Sequence, residues 1–203
     1  MTRRRYFGNP VKCLAVALTV LFGTLVGSEG VQARRQEGET DALLGRLEDS
    51  KISLADGIRQ AEKAYGRAVS AKFEMKGDKL VLSVYTAKEG LFDDAEHNVL
   101  MELIGDATRP QWTPKAEVFE DRPHVARSAM HLTAMQLSKM TLADVIEWAA
   151  ARRDGTVYSV IPAIREGQIV FDVLVARPGG WSDRLMLDAI TGKPFVGRAG
   201  PCG

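Results

Sequence analysis

The side chains best suited to chemistry are three histidines, His97, His124 and His131, with oxygen and sulfur donors near them. Asp93-Asp94-Ala95-Glu96-His97 is the densest run of oxygen ligands and would suit a divalent cation at a loop tip. It lacks the glycine-turn spacing of a calcium loop, and the favoured reading is a solvated acidic hairpin tip. Met130-His131, Met135 and Met140 offer thioether and imidazole, which suit Cu(I). Of these, His131 and Met135 are four apart and share a helical face, although methionines also fill cores. A metal-responsive or metal-buffering role through His97, His131 and Met135 is therefore the alternative reading. No His-Glu-x-x-His, Cys-x-x-Cys, Gly-x-Ser-x-Gly or phosphate-loop pattern occurs, and no spacing puts a histidine beside an activated nucleophile. The expectation is a non-enzymatic protein with no catalytic residues and no cofactor.

The N-terminus reads as an address. Met1-Thr2-Arg3-Arg4-Arg5 precedes an apolar run from Cys13 to Val26 and an Ala-x-Ala-like site at Val31-Gln32-Ala33. The run is shorter than the roughly 20 apolar residues of a spanning helix. Residues 1–33 are read as a signal peptide, with an uncleaved anchor as the other possibility, and the protein as periplasmic or secreted. Arg4-Arg5-Tyr6-Phe7 also matches part of a twin-arginine signal. Without residues 1–33 the chain keeps 23 basic and 25 acidic side chains, so nothing favours nucleic acid as a partner. No stable membrane insertion is expected after cleavage. Cys202 is then alone and forms no internal disulfide.

The elements that would position any site come in two copies. Ile52-Ser53-Leu54-Ala55-Asp56-Gly57-Ile58 aligns with Met140-Thr141-Leu142-Ala143-Asp144-Val145-Ile146, 88 positions later. Ser53 and Thr141 are hydroxyl N-caps, and Asp56 and Asp144 stand three residues on, where a carboxylate can bond back to the cap. Leu54, Ile58, Ala61 and Tyr65 predict one apolar stripe; Leu142, Ile146 and Ala150 predict the other. Each helix is followed by period-two alternation. Val69, Ala71, Phe73 and Met75 alternate with Ser70, Lys72, Glu74 and Lys76, then come a turn at 76–79, a return strand and a third strand over 99–104. In the second copy the strands are expected at 158–164, 169–176 and 184–188, with Gly192 at a positive-φ turn position.

These residues resemble the PepSY domain: a capped Ile-Ser-Leu-Ala-Asp-x-Ile helix, an alternating hairpin and a last strand ending Leu187-Asp188-Ala189-Ile190-Thr191-Gly192-Lys193. Residues 140–195 match throughout. Residues 52–110 match at helix and hairpin, but carry an insert, Gly90–Asn98, and end in Gly105-Asp106-Ala107-Thr108-Arg109-Pro110 without the final glycine. The resemblance implies an α+β fold of two units, each a helix on a three-stranded antiparallel meander. It also implies a role in inhibiting or chaperoning peptidases, or in ligand binding or sensing, with no catalytic residues to carry over. The expected organisation is signal peptide 1–33, linker 34–49, unit one 50–120, a helical connecting segment 121–138, unit two 139–197 and tail 198–203.

The two sheets differ. The outer face of the first, Ser70, Lys72, Glu74 and Lys76, suits water. In the second, Tyr158, Val160, Pro162 and Ile164 oppose Ser159, Ile161 and Ala163, and Val170, Leu174 and Ala176 oppose Ile169, Phe171, Val173 and Val175. A strand apolar on both faces is covered on both. The cover is either internal, by the other unit or by a connecting helix with Met130, Ala134 and Leu137 in its stripe, or it is a partner. The second reading makes Tyr158, Val160, Ile164, Val170, Leu174 and the hairpin-tip Trp181 a surface for a protein or peptide of the envelope.

Overall fold

A computed structural model describes residues 38–197. The fold is α+β: one seven-stranded antiparallel sheet in the order β4-β3-β2-β1-β5-β6-β7, with helices on both faces. The strands are β1 (Arg67–Lys76), β2 (Lys79–Ala87), β3 (Leu100–Asp106), β4 (Lys115–Val118), β5 (Thr156–Arg165), β6 (Gln168–Arg177) and β7 (Trp181–Asp188). The helices are α1 (residues 38–46, continued by a 3-10 turn at Leu47–Asp49), α2 (Leu54–Tyr65), α3 (Arg122–Leu137) and α4 (Leu142–Ala150). Among the described residues no helix is long and apolar enough to cross a membrane. The signal-peptide reading falls on residues 1–33, outside the described residues, as does Cys202.

The local chemistry recurs from one half of the sheet to the other. Ser53 Oγ accepts from the Asp56 amide at 3.0 Å, and Thr141 Oγ1 from the Asp144 amide at 3.2 Å. Asp144 returns the bond, accepting from the Thr141 amide at 2.8 Å. Just before each cap a serine latches the end of the third strand. Ser50 Oγ lies 3.4 Å from the Ala107 carbonyl, and Ser138 Oγ 3.1 Å from that of Ala189. The amides of Lys51 and Lys139 donate to the same two carbonyls. Asp106 and Asp188 fold the following turns onto Thr108 and Thr191. The hydrogen bonds that Thr191 and Thr108 supply hold both carboxyls below their ordinary range. Gly192 adopts φ 68°, which its turn requires.

Both meanders also contain a β-bulge, between Ala68 and Ser70 in β1 and between Val157 and Ser159 in β5. The halves join where β1 pairs antiparallel with β5, Ala71 opposite Val160. Each of these residues stands two places after the extra residue of its strand's bulge. Helices α2 and α4 lie on the same face of the sheet, where they touch. That face is the core: Ala71, Phe73, Leu82, Val84, Leu103, Val160, Phe171, Val173 and Leu187 are all buried there. Gly57 lets α2 approach it, because a Cβ at this position would sit 2.1 Å from Leu82 Cδ2. The buried stripe of α4 is Leu142, Val145 and Ala149, rotated from the expected Leu142, Ile146 and Ala150, with Ala150 exposed.

Several expectations need correction. The supposed linker 34–49 is helical from 38, and Leu44 and Leu47 enter the core; one helical turn of leucines is too short to show a period. The first sheet's outer face is not simply solvated. It carries α3, which packs on β1, β3 and β5, and Ser70 is buried beneath it. The side of α3 turned to the protein holds Ser128, His131, Leu132, Ala134 and Met135, whereas Leu137 is exposed. Two of those side chains are polar, so hydropathy alone misplaces the stripe. β4 is an addition, a short strand with every residue exposed that forms one sheet edge.

Candidate functional site

The six residues expected to form one partner surface divide between the two faces of the sheet. Val160 pairs with Val173 on the core face and is fully buried. Ile164 pairs with Ile169 on that same side, at its open end, and is 58% exposed. Val170 and Leu174 point outward, opposite Ala163 and Ser159; Val170 is buried and Leu174 half-buried. Tyr158 is the bulge residue, so it turns outward with Ser159 instead of continuing the alternation toward Val160. Its hydroxyl meets Ser182 Oγ at 2.8 Å and the ring is buried. Tyr158, Val160 and Val170 therefore hold the fold and offer nothing to a partner.

Trp181 stands at the start of β7, 52% exposed, with the Arg177 guanidinium 5.2 Å from its ring centre. Strand β7 is the other edge of the sheet, and its outer row of main-chain groups is partly used. Asp188 N–H donates to the Lys193 carbonyl at 2.9 Å, and Phe195 N–H donates to the Met186 carbonyl at 2.9 Å. Residues 193–195 thus run antiparallel along one end of β7. In an antiparallel ladder the main-chain groups of alternate residues point the same way. Those of Ser182 and Arg184 therefore continue the row begun by Met186, and no described segment lies against them. The open main-chain row and the exposed indole beside it mark where an added strand would lie, whereas Ile164, on β5 beyond β6 and at the opposite end of the sheet, takes no part in that surface.

The outer face of β5–β7 carries a charged triad that the sequence patterning did not anticipate. Arg165 Nη2 and Arg184 Nε reach the two oxygens of Asp172 at 3.2 and 2.8 Å. Alternation revealed only that Asp172 is the lone polar residue of its row; the arginines arrive from neighbouring strands. Half-buried Ile161, Ala163, Leu174 and Met186 surround the triad.

The metal alternative is not assembled. His97 is exposed on the 88–99 loop with Nδ1 2.8 Å from Asp94 Oδ1, and its bonds to that carboxylate hold Asp94 below its ordinary range. His131 is buried on the inward side of α3, its Nδ1 3.0 Å from Ser70 Oγ. Met135, one turn further along α3, is buried in the core cluster. Among the described residues no three His, Cys, Asp or Glu side chains come together as a metal would need. Burial, reinforced by the charge of Arg127, pushes His131 down to about 4. Around it lie Tyr85, 6.1 Å between ring centres, and Phe119, which packs on Tyr85 at 4.7 Å and stacks on His124 at 5.4 Å. Next to this cluster a polar cavity of about 640 Å³ opens between β4 and the start of α3, lined by Lys76, Glu102, Lys115, Phe119 and His124 among others. Glu102 there accepts from Ser83.

No family model matches the chain. No curated protein matches it. Among solved structures, the chain is similar to a "putative lipoprotein" from Clostridium difficile 630, at 16% identity and a TM-score of 0.37, over 72% of this chain and 92% of that one.

Proposed function

We propose that this chain is an exported, non-enzymatic binding or regulatory protein of the bacterial envelope, made of two PepSY-like units, which takes an extended segment of a partner protein along β7. The observation that carries the reading is the pairing of residues 193–195 with Met186 and Asp188, beside the open main-chain groups of Ser182 and Arg184. An edge that already accepts one extended segment is suited to a second in the same row. The recurring caps, latches and bulges support two units of one kind, and the basic, apolar leader supports export. A secreted peptidase is the partner class that the PepSY resemblance favours.

The test is selection of binders from a random-peptide display library on the full chain. Arg184→Pro removes the outward amide, and a proline is tolerated there because no ladder bond is lost. Arg184→Ala removes the side chain alone. Selected peptides should bind wild type and Arg184→Ala and lose binding to Arg184→Pro. Equal binding to all three would exclude edge pairing. A peptidase partner predicts that the chain slows a secreted peptidase at stoichiometric concentration.

A further inference from the structure

The outer face of the sheet is built as a step. Over its N-terminal half stands a ridge made of α3 and the 88–99 loop laid along it. Gln136 Nε2 donates to the Asp93 carbonyl at 2.8 Å, and Val125 shares a recess of about 180 Å³ with Ala95 and Asn98. Asn98 holds the loop closed, accepting from the Glu89 amide at 3.0 Å and donating to the Gly90 carbonyl at 2.9 Å. Beyond α3, which packs on β1, β3 and β5, the outer face keeps a half-open shelf at Ile161, Leu174, Met186, Arg165 and Arg184, with Val170 and Asp172 buried within it.

Ridge and shelf have opposite chemistry. The loop carries Phe92, 100% exposed, next to the acidic side chains of Asp93, Asp94 and Glu96. Its ring is a large apolar surface whose burial against a partner would be favourable. The shelf offers the apolar Ile161, Leu174 and Met186 and two arginines that share one carboxylate, their side chains 48% and 58% exposed.

We propose that a second copy of this chain covers the shelf, its Phe92 loop set on Ile161, Leu174 and Met186 with its acids against Arg165 and Arg184. Because ridge and shelf lie side by side on one face, two copies related by a two-fold axis place each ridge on the other's shelf. The contact is isologous and closes at a dimer. The acid–arginine match steers the encounter and fixes the register. The contact uses the side chains of Arg184 and Met186 and peptide binding the main-chain groups of Ser182 and Arg184, so Phe92→Ala, which lies outside β7, tests the dimer separately.

Sedimentation velocity on the full chain tests it. The expected result is a concentration-dependent dimer, weakened at least about tenfold by Phe92→Ala. In the monomer that side chain stands in water, so at concentrations where both proteins are monomeric the melting temperatures should match. Arg184→Glu, which keeps the Arg165–Asp172 pair, and Asp93→Lys/Glu96→Lys should each be monomeric alone. Mixed one to one they should dimerise, because each mutated ridge or shelf then meets an opposite charge. A monomer at every concentration overturns the proposal, as does a dimer that Phe92→Ala and the reversals leave unchanged. A mixture that stays monomeric overturns the reciprocal geometry.

Discussion

His131 Nδ1 meets Ser70 Oγ at 3.0 Å beneath α3, sixty-one residues apart in sequence and both buried. This contact fixes α3 to the sheet through a neutral imidazole, and it titrates. The folded-state pKa, about 4, lies below the ordinary 6.5. Between those values the unfolded chain binds the proton and the folded chain does not. Stability contributed by the neutral ring is therefore full above about pH 6.5, falls as pH drops toward 4, and levels off below. The total is about 3 kcal/mol. Thermal melts at pH 7 and pH 4.5 should show a larger drop for wild type than for His131→Gln, which keeps a hydrogen-bonding group and loses the titration. Equal drops would contradict the buried neutral ring.

The latches make a second prediction. Ser138 Oγ serves the Ala189 and Met140 carbonyls at 3.1 and 3.0 Å, and Ser50 Oγ the Ile52 and Ala107 carbonyls at 2.7 and 3.4 Å. Ser138→Ala and Ser50→Ala should each cost about 1 to 2 kcal/mol by denaturant unfolding. Ser138→Ala should cost more, because its reach to the end of the third strand is shorter. A loss from one and none from the other would mean that the closures are not equivalent.

Gly57→Ala separates helix propensity from packing. In an exposed helix the change would stabilise by about 1 kcal/mol. Here the new Cβ meets buried Leu82. Overpacking costs about 1 to 3 kcal/mol, so the expected net effect is destabilising. A raised melting temperature would show that α2 can lift from the sheet without loss.

The parts of this fold legible in the sequence are those set by local spacing. Ser53 and Thr141 cap the helices because hydroxyl and carboxylate stand three apart, and Phe73 and Val173 alternate into the core because their strands have no bulge there. What was not legible depends on long-range geometry. One extra residue at Tyr158 turns its ring to the opposite face, and no single-strand pattern signals it. The inward side of α3 contains Ser128 and His131, whose place is set by Ser70 on another strand. The Arg165–Asp172–Arg184 triad draws on three strands. The open row on β7 becomes visible only once β7 is known to be an edge.

Amide hydrogen exchange along β7, read residue by residue, tests the central claim most directly. Ser182 and Arg184, pointing away from β6, should exchange fast in the free chain, while Asp183 and Leu185, bonded to β6, exchange slowly. Adding a peptide selected on the chain should slow Ser182 and Arg184 at least about tenfold and leave Asp183 and Leu185 unchanged. If Ser182 and Arg184 are already protected in the free chain, or stay fast with the selected peptide bound, β7 is not the docking edge.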